Sequence, residues 1–459
     1  MTAAELRLGV DVGKISTDAV LMDANDRLLT KRRLPPAANA EAAVRGAIGA
    51  TVEAAGADPA RVTRAMVGAA SVMEALLKRR SFDRVAVIRI GAPLTRALPP
   101  LCRWPADLRR AVSAGEIVVG GGAEYDGHSA QPLDAEAVAR FVASVAGELD
   151  VVAITGVFSP VAADQELAAC EVVRGELGNR VPVSMSHEIG SLGLLGRENA
   201  TVLNAALTGA AEALGATLQV TLELARIHAD LYVAQSDGSV MAIEHALRYP
   251  VLMIGSRFPV AMRGAAYLSG VGDAVVVSVG SRSANVGVLV NGYPRESDAP
   301  PSIEGVRMGV RAPSTVTFAI GRDRAAGQAE FEAALPGAIA RAKGAHAALP
   351  LVAVGEGSAR VPDVFPGVSE VMRPADGEMA SAIGLAIAPV TGQADVFCSD
   401  RPAQRERALA AARTAAIESA IHAGADPRAV EVIELSELPL SYLLDPAVQI
   451  RVKAAGPRI

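Results

Sequence analysis

The chain has 459 residues, of which 51% are hydrophobic, 20% charged and only 3% aromatic. This length exceeds one typical core, so the composition predicts a globular protein of two or three domains with a large interior. A net charge of −6 and a pI near 5.7 argue against a general polyanion-binding surface, and no nucleic-acid partner is expected.

The cysteine pattern and the N-terminal residues bear on the compartment. Cys102, Cys170 and Cys398 are widely spaced and form neither a CxxC pair nor a disulfide framework. The N-terminal residues lack the basic start and apolar run of a signal peptide, and apolar runs elsewhere are too short or too interrupted to span a bilayer. We therefore expect a cytoplasmic protein without a membrane partner.

The first predicted element is a β-hairpin in residues 6–21, LRLGVDVGKISTDAVL. Apolar and polar residues alternate up to Asp11, the pattern breaks at Gly13, and a second apolar run follows. Backbone N–H groups in such a tip converge on an anion, the Ser16 and Thr17 hydroxyls add donors, and Asp11 can hold a hydrated Mg²⁺. The same residue types are ordinary turn formers, so this hairpin alone indicates a phosphate site only weakly.

The chain then alternates helices and strands, a rhythm that predicts βαβ units and a parallel sheet. The predicted elements are helix 40–55, strand 62–67, helix 74–80, strand 84–90, a proline-rich loop 93–105, a glycine turn 120–122, helix 135–148, strand 151–154, helix 163–177 and strand 181–185. The last strand delivers His187 and Glu188 at its carboxyl end, where ligands usually bind in open α/β sheets. Both are candidate catalytic residues, although an isolated histidine at such a position is more often structural.

A long helix at 198–208 is predicted to carry the chain into a second half. The elements predicted there are helix 211–226, strand 231–235, helix 241–246, a small-residue helix from 263, a hairpin in 273–292, helix 327–347, strand 351–354, a glycine-rich turn 355–358, helices 379–387 and 405–423, and strands 430–435 and 447–453.

The hairpin in residues 273–292, DAVVVSVGSRSANVGVLVNG, repeats the design of the first one. A valine-rich strand leads to a polar tip, and a second apolar strand follows. The tip residues are Gly280, Ser281, Arg282 and Ser283. Two such units in separate halves of a chain are typical of the actin-like ATPase fold of sugar kinases and Hsp70, in which two lobes close over a nucleotide.

We therefore expect a two-lobed actin-like α/β fold with a small C-terminal α/β extension. The predicted domains are an N-terminal lobe at residues 1–197, a second lobe at 198–395 and the extension at 396–459.

The ordered motifs of the chain resemble the A subunit of the hydantoinase/oxoprolinase family. They include LGVDVGxxxTDAVL, GGGxEYDG, SHEIGxxGLLGRENATVLNAAL, MRGAAYLSG, VGEGSARVPD and LPLSYL, and they extend over nearly the whole chain. The resemblance implies an actin-like subunit that uses ATP and Mg²⁺ to open a cyclic amide or imide. It also implies a partner, either a hydantoinase B-type subunit or a second copy of this chain.

Both phosphate-binding loops of this family are altered in this sequence. The first usually reads DVGGTxTD, and Lys14 and Ile15 stand at its second Gly and first Thr. The second usually reads DVGGTTTD, and Ser278 and Asn285 replace its two acids, while Arg282 lies in the tip. These changes surround the expected nucleotide, whereas the scaffold motifs persist.

Two functional hypotheses follow from the resemblance and its departures. The first is an active subunit with Asp11 as metal ligand and with Asp11, His187 and Glu188 as catalytic residues. Its nucleotide-binding candidates are Gly13, Lys14, Ser16, Thr17, Asp18, Gly280, Ser281, Arg282, Ser283, Gly355 and Gly357. The second is a non-catalytic paralogue that acts as a partner-binding or regulatory subunit. In the first hypothesis Lys14 and Arg282 bind phosphate as fixed cations, and in the second they neutralise Asp11 and Asp18.

Overall fold

The computed structural model of the chain describes residues 5–13, 15–37, 39–321, 324–344, 348–440 and 446–459. The strands in chain order are β1 (Leu6–Val12), β2 (Thr17–Asp23), β3 (Leu28–Leu34), β4 (Val62–Val67), β5 (Val85–Ala92), β6 (Ser113–Gly120), β7 (Val151–Gly156), β8 (Val183–Met185), β9 (Asp230–Ala234), β10 (Val240–Ala242), β11 (Ala274–Val279), β12 (Ser283–Val290), β13 (Tyr293–Pro294), β14 (Ser302–Ile303), β15 (Val306–Arg307), β16 (Thr315–Ala319), β17 (Leu351–Val354), β18 (Val371–Met372), β19 (Val390–Ser399), β20 (Glu431–Leu440) and β21 (Ala447–Gly456).

The α-helices in chain order are α1 (Ala40–Ala54), α2 (Ala70–Lys78), α3 (Ala106–Val112), α4 (Ala135–Val145), α5 (Asp164–Leu177), α6 (Leu194–Ala206), α7 (Thr208–Leu224), α8 (Ile243–Arg248), α9 (Arg257–Ser269), α10 (Arg324–Lys343), α11 (Ala380–Ile387) and α12 (Pro402–His422).

The largest sheet in the described ranges, here called the N-terminal sheet, has nine strands in the order β20-β21-β19-β10-β9-β4-β1-β2-β3. β1 and β2 form the predicted first hairpin, and β1 also pairs in parallel with β4. Helices α1 and α11 pack on β1 and β2, so both strands are buried along almost their whole length. This burial fits the continuous apolar run at residues 19–22 of β2.

A second sheet holds the second hairpin. Its strands are ordered β13-β12-β11-β17-β18, and β16 pairs with β12. β11 and β12 are antiparallel, and β17 runs parallel to β11. Helix α9 packs against β11, and α10 packs against β12. Because the two hairpins belong to different sheets, each forms the centre of its own lobe, and the predicted two-lobed actin-like fold is confirmed.

A parallel sheet with the order β6-β5-β7-β8, here called the inserted sheet, lies between β4 and β9 in the chain. It confirms the predicted βαβ rhythm, but α3 and β6 were not predicted. β6 lies at the edge of the sheet and most of its residues are only half-buried, so it lacks a continuous apolar run.

Helix α6 packs against the inserted sheet and is buried along most of its length. Arg89 on β5 donates from Nε and Nη2 to the two carboxylate oxygens of Glu198 on α6, at 2.6 Å each. These side chains are 0% and 1% exposed. A bidentate pair satisfies both buried charges, so it holds the inserted sheet in a defined position against α6.

The two lobes meet through helices α9 and α11. α11 packs on β1 of the N-terminal sheet, and α9 packs on β11 of the second sheet. A Cβ atom at Gly264 would lie 1.9 Å from the carbonyl oxygen of Ala380, and one at Gly384 would lie 2.0 Å from that of Val260. The helices therefore touch backbone to backbone, and these glycines set the spacing of the lobes.

The N-terminal sheet takes strands from each of the three predicted domain ranges. Residues 396–459 provide α12, β20 and β21, which lengthen this sheet, as expected for a small α/β extension. The domain boundaries at residues 197 and 395 remain a prediction.

The helix predicted at 241–246 begins at Ile243, because Val240–Ala242 pairs with β9 and β19 instead. In the described part of the chain, no helix has the length and apolarity that crossing a membrane requires.

Candidate functional site

Both hairpins close with the same backbone hydrogen bond. The N–H of Gly13 donates to the carbonyl oxygen of Ser16 at 2.8 Å, and the N–H of Gly280 donates to that of Ser283 at 3.0 Å. The two tips are therefore structural equivalents, as their sequence similarity predicts.

The register of each hairpin shows which side chains correspond. Asp11 lies opposite Asp18 in the first hairpin, and Ser278 lies opposite Asn285 in the second. The second hairpin is thus uncharged where the first has two acids. Thr317 donates to the side-chain oxygen of Asn285 at 2.7 Å, so this amide is held by its own lobe.

The two tips line one cleft with a volume of about 720 Å³, here called the interlobe cleft. Ligand pockets commonly measure about 300–1,000 Å³, so the cleft has the size of a small-molecule site. The predicted residues that line it are Ser16, Asp18, Gly280, Ser281, Arg282, Ser283 and Gly355. The predicted arrangement of facing hairpins is confirmed.

Asp11 is engaged by Arg257, the first residue of α9. The Nε of Arg257 donates to Oδ2 of Asp11 at 2.9 Å, and the Asp11 side chain is only 5% exposed. A Cβ atom at Gly13 would lie 2.6 Å from Nη2 of Arg257, so the guanidinium lies directly over the first tip. The negative charge of Asp11 raises the pKa of Arg257 above its usual value.

Asp18 is engaged by Arg33 on β3. Arg33 lies opposite Asp18 in the register of β2 and β3, and it donates to both carboxylate oxygens at 2.7 and 2.8 Å. These hydrogen bonds raise the pKa of Arg33. Arg33 also donates to the carbonyl oxygen of Glu378 at 2.9 Å, which fixes the guanidinium at the rim of the cleft.

The carboxylates of the first hairpin do not fit a Mg²⁺ site. Mg²⁺ requires near-octahedral oxygen ligands at about 2.0–2.1 Å, usually with one or two carboxylates. Asp11 and Asp18 are both paired with guanidinium groups, and the second hairpin contributes no carboxylate at the equivalent positions. In the described ranges, no group of three or more His, Cys, Asp or Glu side chains could hold a metal ion. The resemblance assigned Asp11 to a metal, and the structure places Arg257 beside it instead.

Of the other predicted residues, Thr17 and Gly357 do not line the cleft, whereas Gly355 does. Thr17 is 1% exposed, and its buried hydroxyl has no hydrogen-bond partner among the described residues. Gly355 has a φ of +86°, and a Cβ there would lie 2.6 Å from the carbonyl oxygen of Val279. The N–H of Gly357 donates to that same carbonyl at 2.9 Å, so this glycine turn supports the second tip. Lys14 lies outside the described residues.

His187 and Glu188 do not line the interlobe cleft. They follow β8 of the inserted sheet, as predicted, but each has a local partner. Nδ1 of His187 is 2.6 Å from a carboxylate oxygen of Glu166, which is fully buried. Glu188 accepts from Arg248 at 2.6 Å and from the Tyr249 hydroxyl at 3.1 Å. The structure therefore does not bring them together with Asp11.

Arg257 and Arg33 are the cleft residues that sequence reasoning missed. The sequence contains a signal for Arg33, because a third strand paired with β2 places it directly opposite Asp18. Arg257 has no comparable local signal. It meets Asp11 from a position 246 residues further along the chain.

The fold and the cleft together define a two-lobed α/β protein of the actin-like class, with two equivalent hairpins facing across a ligand-sized space. The model of the hydantoinase/oxoprolinase N-terminal region matches residues 7–177, and the hydantoinase/oxoprolinase model matches residues 197–326. Together these ranges cover well over half of the chain. The chain belongs to the hydantoinase/oxoprolinase family.

Two solved structures share this fold over nearly the whole chain. The nucleotide-free structure of acetone carboxylase has a TM-score of 0.70 and 12% identity, covering 99% of this chain and 88% of that one. The ATP-dependent caprolactamase from Pseudomonas jessenii has a TM-score of 0.73 and 16% identity, covering 98% and 87%. At these identities the likeness shows the fold alone. No curated protein matches the sequence.

Proposed function

We propose that this chain is the nucleotide-binding subunit of an enzyme that uses ATP to open a cyclic amide or imide. The observation that carries the proposal is the pair of equivalent hairpin tips on opposite sides of a cleft of about 720 Å³. Family membership supports the ring-opening chemistry. The names of the two solved relatives, an ATP-dependent caprolactamase and a carboxylase described as ATP-dependent, support ATP as the second substrate.

The chemistry answers a physical need, because an amide carbonyl is a poor electrophile. Transfer of the terminal phosphoryl group of ATP to the carbonyl oxygen releases ADP and turns that oxygen into a good leaving group. Water then adds to the carbonyl carbon, the ring C–N bond breaks as the nitrogen takes up a proton, and a second water hydrolyses the resulting acyl phosphate to the ring-opened acid and phosphate. Fixed donors and cations stabilise the charge on the moving phosphoryl oxygens. Residues of both tips, together with Arg257 and Arg282, line the cleft and would supply these donors and cations.

A second candidate function is a non-catalytic subunit that keeps the cleft for binding or regulation. A specific observation favours it: Arg257 and Arg33 engage both acids of the first hairpin, and Ser278 and Asn285 replace those of the second. Loss of one transition-state charge contact costs roughly 3 kcal/mol, so several such changes weaken the case for rapid phosphoryl transfer.

One experiment separates the candidates. The chain is co-expressed with a hydantoinase B-type subunit, the partner that we propose, and ADP release is measured with hydantoin, 5-oxoproline and a simple lactam. ADP release that requires one of these cyclic amides supports the enzymatic function, provided that the ring-opened acid forms in an amount equal to the ADP. ATP binding without turnover over the whole panel favours the non-catalytic subunit. Failure of the chain to bind ATP, alone and with its partner, refutes the enzymatic proposal.

A further inference from the structure

We infer that Arg257 takes the place of a divalent cation in the interlobe cleft, so that the triphosphate of the nucleotide binds directly to guanidinium groups without Mg²⁺. This inference rests on the proposed function, because it takes ATP as the ligand. It adds that the site is independent of metal and that Asp11 pairs with an arginine rather than with an ion.

The first step of the argument is the geometry of Arg257. Its Nε donates to Asp11 at 2.9 Å, and its two terminal nitrogens have no hydrogen-bond partner in the described part of the chain. The residue lines the cleft, and its side chain is 57% exposed. A guanidinium has five N–H donors in a planar fork, so four remain available for phosphate oxygens.

The second step concerns what else Asp11 could bind. Its carboxylate is 5% exposed and already faces a fixed positive charge, which repels an approaching dication. Asp18 offers no alternative, because each of its oxygens accepts a hydrogen bond from Arg33.

The third step is the set of charges that face the cleft. Arg282 lies on the tip of the second hairpin and lines the same cleft as Arg257, and no ion pair of Arg282 is present among the described residues. Arg33 is used by Asp18. Glu356 and Glu378 also line the cleft, and Glu378 is 3.7 Å from Lys31. Two guanidinium groups that line the cleft are therefore available to bind a chain of phosphates.

Metal-free and Mg²⁺-dependent binding of ATP predict opposite effects of Asp11→Asn on ATP affinity. If Mg²⁺ binds at Asp11, loss of the carboxylate removes a ligand of the metal and weakens ATP binding. If Arg257 binds the phosphates, the same change removes a competing anion and leaves ATP binding equal or tighter. The side chains are almost the same size, so packing changes little.

The test is isothermal titration of the full-length chain with ATP, in EDTA and in excess Mg²⁺. We expect the Kd in EDTA to stay within about 3-fold of the value in Mg²⁺, and Arg257→Gln to weaken binding in EDTA at least about 10-fold, the low end for a hydrogen bond to a charged group. Arg428→Gln is the matched control, because Arg428 is 88% exposed and pairs only with Asp426 among the described residues. We expect no change in that variant.

Each other outcome is decisive. Binding that EDTA abolishes and Mg²⁺ restores overturns the inference and leaves ATP binding, and with it the proposed function, intact. No binding in either buffer overturns both. If Arg257→Gln fails to fold by circular dichroism, Asp11→Asn decides: equal or tighter binding supports the inference, and a loss of about 10-fold or more in Mg²⁺ overturns it.

Discussion

Replacing Gly264 with Ala should force the two lobes apart. The added Cβ would lie 1.9 Å from the carbonyl oxygen of Ala380, whereas a carbon–oxygen contact normally needs more than 3 Å, so helices α9 and α11 must separate by over 1 Å. Both helices are packed on buried strands and cannot move freely. Overpacking of this kind costs about 1–3 kcal/mol, and contact with rigid backbone places Gly264→Ala at the upper end.

The assay is the free energy of unfolding from urea titration, together with ATP affinity. Gly46→Ala is the matched control, since Gly46 is exposed within α1 and a Cβ there meets nothing within 4 Å. We expect this control to stabilise the protein by about 0.5–1 kcal/mol, because alanine favours the helix. If Gly264→Ala unfolds at the same urea concentration as the parent chain, the close helix contact does not set the lobe spacing.

Three further changes test other parts of the structure. Glu198→Gln leaves the buried Arg89 without a counter-charge and should lower the free energy of unfolding by roughly 3–5 kcal/mol; a loss under about 1 kcal/mol would contradict the buried pair. Burial lowers the pKa of His245 from 6.5 to about 4, so the folded protein binds fewer protons than the unfolded chain, and the free energy of unfolding should fall as pH drops through that window. His245→Asn should remove this pH dependence, whereas His128→Asn should not, because the His128 side chain is 84% exposed. If the free energy of unfolding depends on pH equally in both variants, His245 is not the source of the dependence. Gly355→Ala adds a Cβ 2.6 Å from the carbonyl of Val279 at a φ of +86°, and it should weaken ATP binding several-fold by displacing the second tip, an effect that titration calorimetry detects.

Much of the scaffold could be predicted, because its strands carry local signals. The strands at Val62–Val67 and Leu351–Val354 have the predicted bounds, since each is a short segment rich in apolar residues that ends at a glycine. Strand β19 was missed because Gly392, Gln393 and Asp395 interrupt its apolar run. Antiparallel pairing with β21 along its full length holds it in the sheet, and that pairing is not visible locally.

The cleft could be predicted only in outline. The two tips carry their own pattern, so Ser16 and Gly280 could be placed in the cleft from sequence. The partner of Asp11 could not, because Arg257 meets it from a position 246 residues further along the chain. His187 shows the converse, since a local signal at a strand end pointed to a ligand, and the structure gives that histidine a buried carboxylate.

The order of strands in the N-terminal sheet has a consequence for biosynthesis. Its neighbours β10 and β19 are separated by the entire second sheet, and β4 and β9 by the inserted sheet. During translation the inserted sheet can assemble as soon as β8 emerges, because its pairings are all internal. The N-terminal sheet must wait for β19 and β21, so its long-range pairings form last and at the greatest cost in loop closure. On the ribosome, β10 therefore remains without its neighbour β19 until translation passes β19, the interval in which a chaperone would protect its open edge.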